Sequence, residues 1–298
     1  MDIIGRKYIY FAISLLVMVP GLIALMLWGL NLSIDFTGGS RLALSFPDRV
    51  EQKHISAVKK ELSEVGVKIH SAQVLRNIIT VRTDVLAQKQ DEELLRGLSE
   101  FKVKQEEFDT IGPTIGAEIT QNAVKALAIA SILIILYITW AFRSVPKPAS
   151  SFRFGVCAIG ALIHDVLVVV GVFAVLGHFL DVEINSMFVT ALLTIIGFSV
   201  HDTIVVFDRI RENLKRAPGI SFQKVVNESI LQTLDRSLNT SLTVVLVLSA
   251  MLLFGGQSIK WFIVALLVGI ISGTYSSIFN ASPLLVLWHE WSLKRRKV

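Results

Sequence analysis

Three ionisable residues fall inside long apolar stretches of this 298-residue chain: Asp165, Asp202 and Arg236. Charge within a hydrocarbon segment is costly, and where it occurs it serves ion paths, proton relays or counter-ions. A carboxyl is the proton-binding group of such sites, because burial and a neighbouring guanidinium act on it in opposite directions. Asp202 on one span and Arg236 at the start of the next lie at depths that permit them to pair. Thr233, Asn239, Thr240 and Thr243 stand at i−3, i+3, i+4 and i+7 from Arg236, on one helical stripe. A polar stripe on a spanning helix faces protein or water rather than lipid, so Arg236 is expected to point inward. Proton binding at Asp202 would then release Arg236 and change how two spans pack. A proton crossing the membrane carries about 2.3 kcal/mol per 100 mV, enough to bias a two-state movement about 50-fold. The alternative for the same pair is a buried salt bridge that fixes helix register.

A local repetition adds to this reading. Gly160-x3-His164-Asp165-x2-Val168-Val169 matches Gly197-x3-His201-Asp202-x2-Val205-Val206 in spacing and identity. An apolar face has no need of His-Asp twice. Asp165 is therefore a third candidate for proton coupling. His164 and His201 are candidates for relay or interior hydrogen bonding, as is Thr240. His201 stands about 100° from Asp202 on the helix wheel, so both cannot face one narrow groove. Two membrane aspartates also invite an aspartic protease. However, Asp202 lacks a Gly-x-Gly-Asp setting, and a nearby arginine would hold it ionised where one acid must be neutral. Gly197-Phe198-Ser199-Val200-His201 lacks the second glycine of a Gly-x-Ser-x-Gly elbow, and His289-Glu290 is not part of a His-Glu-x-x-His site. No catalytic constellation remains, so the chain reads as a non-enzyme without cofactor or metal.

These residues must be held by spanning helices. Hydrophobic residues make up 53% of the chain, charged residues only 18%, and mean hydropathy is +0.62. An average soluble domain carries about 25% charged residues, so one large water-soluble domain is excluded, as is disorder. The single Cys157 excludes an internal disulfide and a cysteine-cluster metal site, and reads as packing. Six stretches approach the about 20 apolar residues that a span needs: 8–30, 124–142, 154–176, 186–207, 237–254 and 261–288, the last expected to tilt or end early near Pro283. Arg6, Lys7, Arg143, Lys147, Arg153, Arg209, Arg211, Lys215, Arg216, Lys224, Lys294, Arg295, Arg296 and Lys297 all fall on one side. The short opposite loops hold only Lys260. That asymmetry places both termini in the cytoplasm. It also absorbs most of the net charge of +5, so nucleic acid is not the expected partner. Trp28, Trp140, Trp261, Trp288 and Trp291 mark span ends. Gly160, Gly171, Gly197, Gly269 and Gly273 read as close helix contacts, with Gly269-x3-Gly273 a small-x3-small pair.

The organisation expected is residues 1–30, a cytoplasmic N-terminus and first span; 31–123, an extracytoplasmic domain; 124–288, spans two to six; and 289–298, a basic cytoplasmic tail. Within the domain, strand 41–46, helix 51–65, strands 68–75 and 78–81 about an Arg76-Asn77 turn, helix 91–101 and strand 105–111 give β-α-β-β-α-β. That order suggests an α+β ferredoxin-like split βαβ. Asp35-Phe36-Thr37-Gly38-Gly39 reads as a tight turn where span one ends. Gly112-Pro113-Thr114-Ile115-Gly116 reads as a breaker that redirects the chain into span two. Asp208 with Glu212, beside Arg209 and Arg211, reads as a solvated ion-pair network.

Together these two glycine motifs and the run His201-Asp202-Thr203-Ile204-Val205-Val206-Phe207-Asp208-Arg209-Ile210-Arg211-Glu212-Asn213 resemble the SecF family across essentially the whole chain. Ser33 stands where that family often has glycine. SecF is the smaller partner of the bacterial SecD–SecF complex, related to RND transporters. The resemblance implies half of a twelve-span RND-like unit in the bacterial inner membrane. It implies partnership with SecD and with the SecYEG channel, YajC and YidC being further candidates, and unfolded secretory proteins as substrates. It implies late-stage export, after SecA-driven insertion, powered by protons as the coupling ion. The family's essential aspartate falls on Asp202 and its essential arginine on Arg236, while Asp35, Phe36, Gly38, Gly39, Gly112, Pro113, Gly116, Asp208 and Arg209 match its motifs.

Overall fold

The structure, a computed structural model, describes residues 1–143, 145–146, 150–216 and 219–295. Lys147, Arg296 and Lys297 of the basic set lie outside the described residues. Among the described residues six helical stretches are long and apolar enough to cross a membrane: Ile4–Trp28, Pro113–Ala141, Ser151–Leu180, Ser186–Arg216, Phe222–Phe254 and Gln257–Arg295. The chain divides into two compact units, residues 1–31 with the chain from Lys125 onward, and residues 32–124.

The smaller unit holds α2 (Ile34–Thr37), β1 (Gly39–Ser45), α3 (Gln52–Glu64), β2 (Ile69–Leu75), β3 (Ile78–Thr83), α4 (Gln88–Gly97) and β4 (Lys104–Ile111). The strands form one antiparallel sheet in the order β2-β3-β1-β4. That is the ferredoxin-like arrangement expected from the element order. Leu42, Leu44, Ile79 and Val81 alternate along β1 and β3 to one face, in one core with Val58 and Leu62 of α3, Leu94 of α4 and Leu98 just after it. Arg76 takes a left-handed conformation (φ 57°) to close the β2–β3 turn. Glu51 and His54 form the box that starts α3, the Glu51 N–H donating to His54 Nδ1 at 3.0 Å.

The glycine motifs belong to this unit and depart from a simple turn and breaker. Ser33 caps α2 by accepting from the Asp35 N–H. Gly38 (φ 72°) and Gly39 (φ 118°) then take conformations that a side chain resists. A Cβ on Gly39 would lie 2.5 Å from the Thr83 carbonyl oxygen. Pro113 does not break a helix but opens one: α5 runs Pro113–Ala141, beginning well before the apolar stretch. Proline suits a first helical position, where its missing N–H would be unpaired in any case. Gly116 sits in the first turn of α5, where an added Cβ would lie 2.9 Å from the Gly38 nitrogen. The two motifs are thus the two faces of one close contact.

The larger unit holds α1 (Lys7–Trp28), most of α5, α6 (Ser151–Leu180), α7 (Ser186–Arg216), α8 (Phe222–Phe254), α9 (Lys260–Ser276) and α10 (Ser282–Arg295). The α7 and α8 helices outrun their apolar stretches, because both carry amphipathic turns beyond them, packed through Ile210, Phe222, Val226 and Ile230. Phe142, Phe154 and Phe207 cluster with buried Cys157 at one end of the bundle. Gly21 and Gly171 bring α1 and α6 into backbone contact, an added Cβ on Gly171 lying 2.7 Å from Gly21 Cα. The sixth span does not end at Pro283. A π turn, Ser277–Ala281, precedes α10, and the chain continues to Arg295. A π turn opens the backbone where proline lacks its N–H and crowds the preceding turn.

Candidate functional site: the intramembrane carboxylates

Asp165 on α6 is completely buried. Its carboxylate accepts from Ser199 Oγ of α7 at 2.6 Å, Ser272 Oγ of α9 at 2.8 Å and Ser276 Oγ of α9 at 2.6 Å. The ring Nδ1 of His164 lies 3.0 Å from Oδ1. Three helices therefore converge on one carboxyl whose acceptor sites are well used. Small residues let them approach. Gly273 faces Ser199, where an added Cβ would come within 2.9 Å of the serine Cβ, and Gly269 packs on the Ile195 side chain, which would have to move to admit a Cβ. The expected Gly269-x3-Gly273 contact is thus made against α7. Gly160 and Gly197 are not at close crossings: the nearest atom to a Cβ on Gly160 is 3.6 Å away, and Gly197 meets open space.

Asp202 lies three residues after Ser199 and on the same side of α7. It is 3% exposed. Its Oδ2 has no hydrogen-bond partner among the described residues, and neither has the buried Ser237 Oγ of α8. Ser237 and Thr274 of α9 flank the carboxyl. The next residue, Thr203, hydrogen-bonds through Oγ1 to Ser277 Oγ at 2.8 Å. Ser277 opens the π turn and also donates to the Gly273 carbonyl at 2.8 Å.

Arg236 departs from expectation. Its side chain is exposed, and among the described residues it does not bond the Asp202 Oδ2. The reason is helical geometry. Ser237 is the residue of α8 that faces Asp202, and its neighbour is turned away by about 100°. Asn239, Thr240 and Thr243 are exposed with Arg236, whereas Thr233, Ser237 and Ser241 form the buried polar row. Thr240 returns its hydroxyl to the Arg236 carbonyl at 2.8 Å. His201 is exposed, while His164 is nearly buried and its Nε2 has no hydrogen-bond partner among the described residues. Asp208 pairs with Arg211, and Glu212 bridges Arg209 and Arg216 at 2.6 Å each. Among the described residues no group of three or more His, Cys, Asp or Glu side chains is placed to hold a metal ion.

Ser199, Ser272 and Ser276 were not singled out from the sequence. Their signal is the four-residue spacing Ser272-x3-Ser276, interleaved with Gly269-x3-Gly273 on one side of α9.

A six-span bundle with buried intramembrane carboxylates and a ferredoxin-like domain defines the class, a multi-pass membrane protein. Residues 90–291 match the family described as protein export membrane protein SecD/SecF, C-terminal, and residues 29–46 match the SecD/SecF GG motif. The chain belongs to the SecD/SecF family. It is 47% identical to a protein translocase subunit SecF of Thermobaculum terrenum, over 97% of this chain and 94% of the relative. It is 43% identical to that of Anaerolinea thermophila, over 98% and 96%. The crystal structure of SecDF from Thermus thermophilus, a translocon-associated membrane protein, superposes with TM-score 0.83 at 37% identity. That likeness covers 97% of this chain but 38% of the SecDF chain, so this chain spans well under half of it.

Proposed function

We propose that this chain is the smaller membrane subunit of a protein-export complex in the bacterial inner membrane. With a SecD partner it uses the proton motive force to promote late-stage export through SecYEG, after SecA-driven insertion. YajC and YidC are further candidate neighbours, and unfolded secretory chains are the substrate. Both termini lie in the cytoplasm, a placement supported by the one-sided Lys and Arg of the short loops. The domain of residues 32–124 is then extracytoplasmic.

The observation that carries the reading is Asp202. Among the described residues, a buried carboxyl oxygen with no donor beside a buried hydroxyl with no partner is an arrangement a finished structural network avoids. Addition of a proton at Oδ2 turns an acceptor into a donor and gives Ser237 Oγ something to receive. Removal reverses this, and Ser237 on α8 and Thr274 on α9 must readjust. Exposed Arg236 supports the same reading differently. A guanidinium on the outer surface of a spanning helix needs a protein or water partner, and SecD is the proposed one. Asp165, ringed by hydroxyls, is the second coupling candidate and the joint that keeps α6, α7 and α9 together.

The test is export of a secretory precursor into inverted vesicles carrying this chain and SecD, at saturating ATP, with and without a proton gradient. Asp202→Asn is expected to abolish the stimulation by the gradient. Full stimulation in that variant would move coupling to Asp165 or to the partner.

A further inference from the structure

The π turn at Ser277–Ala281 is bonded on both sides. On one side Ser277 meets Thr203, the residue after Asp202, at 2.8 Å. On the other, Asn280 reaches α1: its Oδ1 accepts from Ser14 Oγ at 2.9 Å, and its Nδ2 lies 2.7 Å from the same oxygen. Both side chains are buried. One turn earlier the Tyr275 hydroxyl donates to the Tyr10 carbonyl at 2.8 Å, so the sixth span grips α1 at positions four residues apart. In a bilayer interior such a polar pair has no water to fall back on and holds its two helices in register. α1 is the span from which Leu32, the first residue of the smaller unit, follows.

A π turn is a one-residue register fault within an α-helix, and such faults concentrate at functional sites. Moving such a fault along the helix would change the register of the residues between its old and new positions. Here it lies between the residue next to Asp202 and the helix that leads out of the bundle. We infer that Asn280 is a positioning residue: with Ser14 it ties the first span to the π turn, so that a rearrangement beginning at Asp202 is delivered to α1. The inference rests on the proton-coupled reading above. It assigns no chemistry to Asn280, which touches neither carboxylate.

The experiment uses the full chain with its partner in vesicles. A Leu32→Cys substitution reports on the end of α1 through its thiol-labelling rate, and Cys157 is buried and stays out of the reaction. Energising the membrane is expected to change the labelling rate by about threefold or more. Asn280→Leu and Ser14→Ala are each expected to remove that change and to lower the ratio of gradient-driven to ATP-only export. The exchange Ser14→Asn with Asn280→Ser, which restores a polar pair, is expected to recover both. Asn280→Leu and Ser14→Ala chains that keep gradient-dependent labelling overturn the inference. So does a loss that the exchange fails to recover, because that is general damage rather than a broken tie. Should Asn280→Leu fail to accumulate, Ser14→Ala decides alone. Asp202→Asn is carried in parallel. If it keeps the gradient effect, the proton-coupled reading fails. If it loses the effect while the Asn280 and Ser14 variants keep it, only the tie fails.

Discussion

The two buried aspartates differ by what surrounds them. Asp165 has three serine hydroxyls and a histidine nitrogen, whereas Asp202 has an oxygen with no donor among the described residues. Removal of one donor from a buried carboxylate costs about 1–3 kcal/mol. Ser199→Ala, Ser272→Ala and Ser276→Ala are therefore each expected to lower the thermal unfolding midpoint in detergent, and Ser237→Ala to leave it nearly unchanged. Equal losses at all four positions would mean that the hydroxyls act only by filling space. Outside the membrane, Asp91 of α4 shows a different balance. Burial pushes its carboxyl above the usual carboxylate range, Glu92 adds to this, and the hydrogen bond from Gln105 Nε2 at 2.8 Å pulls the other way. The folded state thus binds this proton more tightly than the unfolded chain does. The stability it supplies is complete below the ordinary aspartate value of about 3.9 and is lost as pH rises through the folded value. Asp91→Asn is expected to stabilise the domain at pH 7 and to flatten its pH dependence. Amide exchange of α4 and β4 in the full chain measures this, and an unchanged pH profile would refute it.

At the scale of elements, packing is set by where side chains are missing. Gly21 and Gly171 put two helix backbones against each other, so Gly171→Leu must force α1 off α6. Overpacking of this kind costs about 1–3 kcal/mol. The expected result is an earlier thermal transition, with Gly197→Ala as a near-neutral control because open space surrounds that position. The elements themselves were largely legible. Apolar runs mark six spans, and alternation marks four strands. Their ends were not. α5 starts at Pro113 and α8 at Phe222, because a helix continues as long as backbone hydrogen bonds and an amphipathic face sustain it, whatever the hydropathy. The π turn was not legible either. Pro283 announces a disturbance, but a proline can end, kink or re-register a helix, and the neighbouring helices select the outcome.

For the whole molecule, the exposed polar row of α8 is the feature that one chain leaves unfinished. Arg236, Asn239, Thr240 and Thr243 lie on the surface of a spanning helix beside Leu242 and Leu246. Arg236→Cys is expected to cross-link to the SecD partner when the two chains are purified together. Labelling of this position by a lipid-phase reagent in the assembled complex would count against a covered surface. Composition and charge distribution alone established a membrane protein with several spans. Periodicity established the extramembrane sheet, and the doubled Gly-x3-His-Asp pattern pointed to Asp165 and Asp202. Those features depend on short-range order: hydropathy over about 20 residues, alternation over a strand, spacing along one helix. The serine ring around Asp165, the outward turn of Arg236 and the Ser14–Asn280 tie depend on which helices meet and at what rotation. That is decided by side chains from α1, α6, α7, α8 and α9 packing together. Only the assembled bundle fixes that rotation, because one residue along a helix turns a side chain by about 100°, and depth in the membrane says nothing about that angle.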